Sequence, residues 1–170
     1  MTIRRTTALA AALMAALAAS ARADEAKRLG SFGSWEGYVY SDASGKVCYA
    51  AAQAAKTNGG EPRRPGVALA VTHRAKSKGE VSLVAPFGFR KDAEAEIQIG
   101  GMKHSFFAKG DSAWAKDAAA DKAIITQLVK GREVVVRATP AKGSAITDTV
   151  MLDGFTAALA AIDKACGVKR

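Results

Sequence analysis

The sequence predicts a mainly β fold: a single-domain antiparallel β-sandwich with two amphipathic helices, one inserted between strands and one C-terminal. Three observations predict it. Short apolar runs separated by turn residues fill Trp35 to Met151, a helical period interrupts them at Asp117 to Lys130, and a second helical period runs from Asp153 to Cys166.

Ser34 to Tyr40 alternates Trp35, Gly37 and Val39 against Glu36, Tyr38 and Tyr40. The turn Asp42 to Gly45 leads into Val47 to Ala51, which predicts a hairpin. Val67 to Thr72 and Val81 to Ala85 are further apolar strands, joined by the charged loop His73 to Gly79. Glu94 to Ile99 alternates with Glu94, Glu96 and Gln98 outward, and Gly100-Gly101 supplies the positive φ angles of a two-residue hairpin turn before Met102 to Phe107. In the inserted helix, Ala120, Ile124 and Leu128 fall at i, i+4 and i+8, with Ile125 and Val129 widening the stripe. Asp117 is the expected N-cap, Gly131 the stop, and Trp114 the expected plug beside the helix start. Glu133 to Thr139 and Ser144 to Met151 form a second hairpin across Pro140 to Gly143. Asp153 is the expected N-cap of the last helix, whose Phe155, Ala158, Leu159, Ile162 and Cys166 share one face before Gly167 ends it. The loop from Gln53 to Pro65 is embedded between strands and does not divide domains.

Residues 1–23 read as a secretory signal peptide cleaved after Ala23. Arg4-Arg5 forms the basic n-region, Ala8 to Ala19 an apolar run of about 12 residues, and Ala21-Arg22-Ala23 the small-residue cleavage site. A membrane-spanning helix needs roughly 20 apolar residues, so neither this run nor any later segment is one. The expected mature domain, residues 24–170, then has no transmembrane segment and works in the periplasm, at the cell surface or after secretion. Losing Arg4, Arg5 and Arg22 with no acid takes the formal charge from +9 to +6. That charge favours an acidic envelope or host-surface partner, such as phosphorylated lipopolysaccharide, anionic lipid headgroups or acidic glycans, or else serves solubility alone. Nucleic acid is excluded because no stripe of interleaved aromatic and basic residues is present.

Cys48 and Cys166 are the only cysteines. An even count in an oxidising compartment predicts a disulfide, with free thiols, a redox pair and a metal site as the alternatives that the lack of a CxxC disfavours. Closing a loop of about 118 residues contributes on the order of 4–5 kcal/mol in the chain-entropy account, an upper-end figure that native-state strain reduces. The bridge would fasten the C-terminal helix to the N-terminal hairpin.

The chain carries no catalytic, cofactor or metal signature. His73 and His104 could ligate a cation with Asp111 or Asp148 but have no ligand spacing. Ser31, Ser34, Ser105 and Ser144 include no Gly-x-Ser-x-Gly elbow. Asp111, Asp148 and His104 are the residues a small hydrolase would have to use, although Asp148 also suits a strand and Asp153 a cap. Trp35 and Trp114 read as packing residues first and ligand platforms second. The best contact candidates are Arg63, Arg64, Arg74, Lys76 and Lys78 on two successive loops, provided those loops meet.

Several blocks in one order carry a family resemblance: Trp35, Cys48-Tyr49-Ala50, His73-Arg74, Asp111 to Trp114, Lys130-Gly131, Thr147 to Thr149, and Gly154-Phe155 to Cys166. Together they resemble the invasion-associated locus B family of exported bacterial proteins over nearly the whole mature chain. The resemblance implies a Gram-negative, mainly alphaproteobacterial source, a mostly β fold and a non-catalytic protein, with a binding role in host-cell interaction or pathogenesis. Many members have a further cysteine soon after the Trp35 position, where this chain has Gly37-Tyr38-Val39-Tyr40.

Overall fold

Strand and helix periods materialise as eleven strands and two helices in the computed structural model, which describes residues 25–170. The expected signal peptide, residues 1–23, lies outside the described residues. The strands are β1 (Lys27–Phe32), β2 (Trp35–Asp42), β3 (Gly45–Gln53), β4 (Lys56–Asn58), β5 (Ala68–His73) and β6 (Lys78–Val84). They continue as β7 (Ala95–Ile99), β8 (Met102–Lys109), β9 (Ser112–Ala115), β10 (Glu133–Ala138) and β11 (Ile146–Met151), with α1 (Ala118–Lys130) inserted after β9 and α2 (Phe155–Cys166) last.

All strands join one antiparallel sheet in the order β1-β2-β3-β5-β6-β9-β8-β7-β10-β11-β4, which is not a closed barrel. The chain itself curls the sheet after β3. Ala54 N–H still bonds Val67 O on the β5 side at 2.9 Å, whereas Ala55 N–H bonds Thr149 O at 2.8 Å on β11, and β4 continues along β11. A strand that bends from one partner to another turns the two ends of the order toward one core. Leu69, Leu83, Ile97, Phe106, Val136 and Val150 meet there, fully buried. Trp35 anchors it, with its ring 4.7 Å from that of Phe155 and its Nε1–H donating to Met151 O at 3.0 Å.

The expected hairpins form, and the Gly100-Gly101 loop joins Ile99 to Met102. Only Gly100 takes a positive φ, 58°, so the turn needs the left-handed region at its first central position, as type II′ turns do. Three short strands escape the periodicity. β1 is an exposed edge, β4 has no apolar residue, and β9 is four residues long beside a polar turn.

Asp117 caps α1 as expected, accepting the Ala120 N–H at 2.9 Å. Ile124, Ile125 and Leu128 are buried, but Val129, placed in the core stripe by its spacing, is 44% exposed. At α2 the expected cap is displaced by one residue. Gly154 occupies the N-cap at φ 83°, and Asp153 instead accepts from Ser34 N–H at 3.1 Å and Ser34 Oγ–H at 2.7 Å. The reason is tertiary. A Cβ at Gly154 would lie 1.8 Å from Phe32 O, so the β1–β2 turn docks directly on the helix start and recruits the neighbouring carboxylate. The Cys48–Cys166 disulfide is present and joins β3 to α2, which packs on β1, β2 and β3, while α1 packs on β6 and β9.

Candidate functional site

The two basic loops lie at opposite ends of β5, roughly 20 Å apart at about 3.3 Å per residue over its six residues, so they do not meet. Arg64 is turned inward. Its guanidinium, with a side chain 6% exposed, forks onto the fully buried Asp148 carboxylate, one arm at 2.8 Å, and also donates to the carbonyls of Gly59, Asn58 and Pro65. Asp148 takes a third bond from Val67 N–H at 2.8 Å. Arg64 is therefore a clamp that fixes the loop before β5 to β11, and the carboxylate is satisfied by it. Arg63, exposed at a φ of 57°, stays free of that network. On the β5–β6 hairpin Arg74 lies 3.9 Å from both Asp42 and Glu80, Lys78 Nζ donates to Arg74 O, and Lys76 is exposed.

The hydrolase candidates do not converge. Asp148, Val136, Ile97 and His104 are successive cross-strand partners, which separates Asp148 from His104 by three strand spacings, roughly 14 Å. His104 Nε2 meets Gln127 Oε1 at 3.1 Å, and Asp111 is exposed in the β8–β9 turn beside Ser112 Oγ. His73 is fully buried, and Gly79 N–H donates to its Nδ1 at 2.9 Å. Nε2 then carries the proton and donates to Asp163 Oδ1 at 2.7 Å, while Arg170 Nε holds Oδ2 at 2.7 Å. Burial holds the imidazole below its ordinary range against the opposing pull of Asp163. Both ring nitrogens are occupied, so His73 ties α2 to the β5–β6 hairpin instead of presenting a base. Ser34 is bonded to Asp153, Ser31 accepts from Arg28, and Ser105 and Ser144 are exposed without a histidine partner. Among the described residues no group of His, Cys, Asp and Glu could hold a metal ion, and no helix is long and apolar enough to cross a membrane.

Two surfaces stand out instead. On the outer face of the sheet, Ala51, Ala70, Ser82, Trp114 and Phe107 are cross-strand neighbours from β3 to β8, an uncharged row. Trp114, expected beside the start of α1, lines a pocket there with Lys116, Asp117 and Asp121, its ring 5.6 Å from that of Phe107, which is 56% exposed, and Val84 nearby is 45% exposed. At the row's other end Ala51 pairs with Glu36 on β2, and two residues along the strands Tyr38 and Tyr49 stack at 5.0 Å. The second surface is a groove of about 650 Å³ between α1 and the C-terminal end of the chain. Its α1 wall is Ala118, Lys122, Ile125, Thr126, Val129 and Lys130, spaced i, i+4, i+7, i+8, i+11 and i+12 on one helical stripe. Sequence reading passed over that stripe because it shares Ile125 and Val129 with the core-facing one.

Residues 35–163 match the family described as Invasion associated locus B (IalB) protein. The fold is similar to the crystal structure of invasion associated protein b from Bartonella henselae, with 22% sequence identity, a TM-score of 0.57, and coverage of 81% of this chain and 97% of that one. No curated protein matches the sequence.

Proposed function

We propose that this chain, which belongs to the invasion associated locus B family, is an exported binding protein that acts without catalysis on an envelope or host-cell surface. The observation that carries this reading is the uncharged outer row from Ala51 to Phe107, with Phe107 and Val84 open to solvent. Ala70 and Ser82 in its middle are buried, so the contact area is its Phe107 end, where an exposed aromatic stacked on Trp114 and rimmed by Glu80, Lys116 and Asp117 has the apolar centre and polar rim of a partner-contact surface. Export rests on the leader at residues 1–23 and on the Cys48–Cys166 bridge, which an oxidising compartment sustains.

The test is capture by the residue 24–170 protein from envelope extracts and from host-cell membranes, beside a Phe107→Ser/Trp114→Ser variant with an unchanged unfolding midpoint. Loss of capture in the variant is the expected result. Undiminished capture, or turnover of an envelope substrate abolished by Asp111→Asn, would replace the reading.

The exposed hairpin Arg74, Lys76 and Lys78 favours a second reading, recognition of an acidic glycan or lipid in the periplasm. Salt-sensitive binding of lipopolysaccharide, reduced in Arg74→Ala/Lys76→Ala, would support it. Arg64 is unsuitable for that variant because it clamps Asp148.

A further inference from the structure

We propose that the groove between α1 and the C-terminal tail binds a single-chain lipid with an anionic headgroup. The inference rests on the reading of the chain as a binding protein, but it uses a different surface from the aromatic row. Ile125, Val129, Leu159 and Val168 make an apolar floor, of which Val129 is 44% exposed. Lys78, Lys122, Lys130, Lys169 and Arg170 surround that floor. Among the described residues only Arg170 of these has an acidic partner, Asp163, which is already shared with His73. Among the described residues Lys122, Lys130 and Lys169 have no carboxylate within 4 Å. Asp121, the acid on α1 nearest to them in sequence, is turned to the sheet, where it accepts Val81 N–H at 2.8 Å. An apolar trough inside a cationic rim in which Arg170 is paired and Lys122, Lys130 and Lys169 have no carboxylate within 4 Å among the described residues complements a ligand with one acyl chain and a negative head. A volume of about 650 Å³ is in the range of small-molecule sites, roughly 300–1,000 Å³. The wall is built on a helix capped at Asp117, and the opposite side is held by the disulfide and by the His73–Asp163–Arg170 bonds, so the groove is preformed.

The test is calorimetric titration of the residue 24–170 protein with lysophosphatidic acid, with the monoacylglycerol of the same chain and with glycerol phosphate, all below the critical micelle concentration. Lysophosphatidic acid is expected to bind at least tenfold more tightly than either the neutral lipid or the chainless head. Lys122→Glu/Lys130→Glu should weaken the charged lipid at least tenfold and leave the neutral one unchanged, whereas Val129→Asp should weaken both. All three positions are exposed, and unchanged unfolding midpoints verify that the variants fold. Equal binding of glycerol phosphate and lysophosphatidic acid, or wild-type binding by either variant, would overturn the proposal. If lysophosphatidic acid fails to bind while Phe107 and Trp114 still support membrane capture, the groove inference falls and the binding reading stands.

Discussion

The loop that precedes β5 and the hairpin that follows it are both basic, yet one is organised inward and the other outward. Before β5, Arg64 forks onto Asp148, 84 residues away in sequence, and gathers three loop carbonyls around itself. After β5, Arg74 keeps only long contacts at 3.9 Å, while Lys76 stays in solvent and Lys78 borders the α1 groove. A buried carboxylate makes this difference. Ionised and out of water, Asp148 requires full compensation, and the nearest guanidinium is consumed in supplying it. The hairpin meets no such demand, so its charge stays at the surface.

The largest effect that sharpens this contrast is Arg64→Ala, expected to destabilise the fold by about 3–5 kcal/mol by leaving the Asp148 charge buried and unpaired. Its neighbour Arg63→Ala should stay within about 0.5 kcal/mol in the same denaturant titration. Equal losses at the two positions would break the contrast. Next comes the double substitution Cys48→Ser/Cys166→Ser, with an expected loss of about 2–4 kcal/mol, against no change on adding reductant-free alkylating agent to the wild type.

A smaller effect is pH-dependent and belongs to the hairpin's inner anchor. His73 is held below its ordinary value of 6.5 by burial. Well above pH 6.5 both folded and unfolded chains carry it neutral, and its contribution is complete. As pH falls below that value the unfolded chain takes up the proton first, so stability declines until the folded pKa is passed. Unfolding midpoints measured from pH 7.5 down to 5 should therefore fall, and His73→Gln should flatten that part of the profile.

Much of the fold was legible because periodicity reports burial. The alternation at Glu94 to Ile99, the α1 stripe and the shared face of Phe155 to Cys166 each became the element it marked. Elements held by pairing alone left no such mark, as at the three-residue β4 and the edge strand β1. Asp153 shows a second limit. A capping residue type states only that a carboxylate wants N–H donors, and here Ser34 supplied one from 119 residues away. The candidate site was legible as charge but not as geometry. Arg63 and Arg64 are adjacent in sequence, and only the distant Asp148 distinguishes them.

The most direct test of this account pairs two readouts, unfolding free energy and the salt dependence of lipopolysaccharide binding, on Arg64→Ala and on Arg74→Ala/Lys76→Ala. The account predicts a double dissociation. Arg64→Ala should lose stability and keep the wild-type salt slope among its folded molecules, whereas the hairpin variant should keep stability and flatten the slope. A hairpin variant with the full wild-type slope, or an Arg64→Ala protein as stable as the wild type, would contradict it.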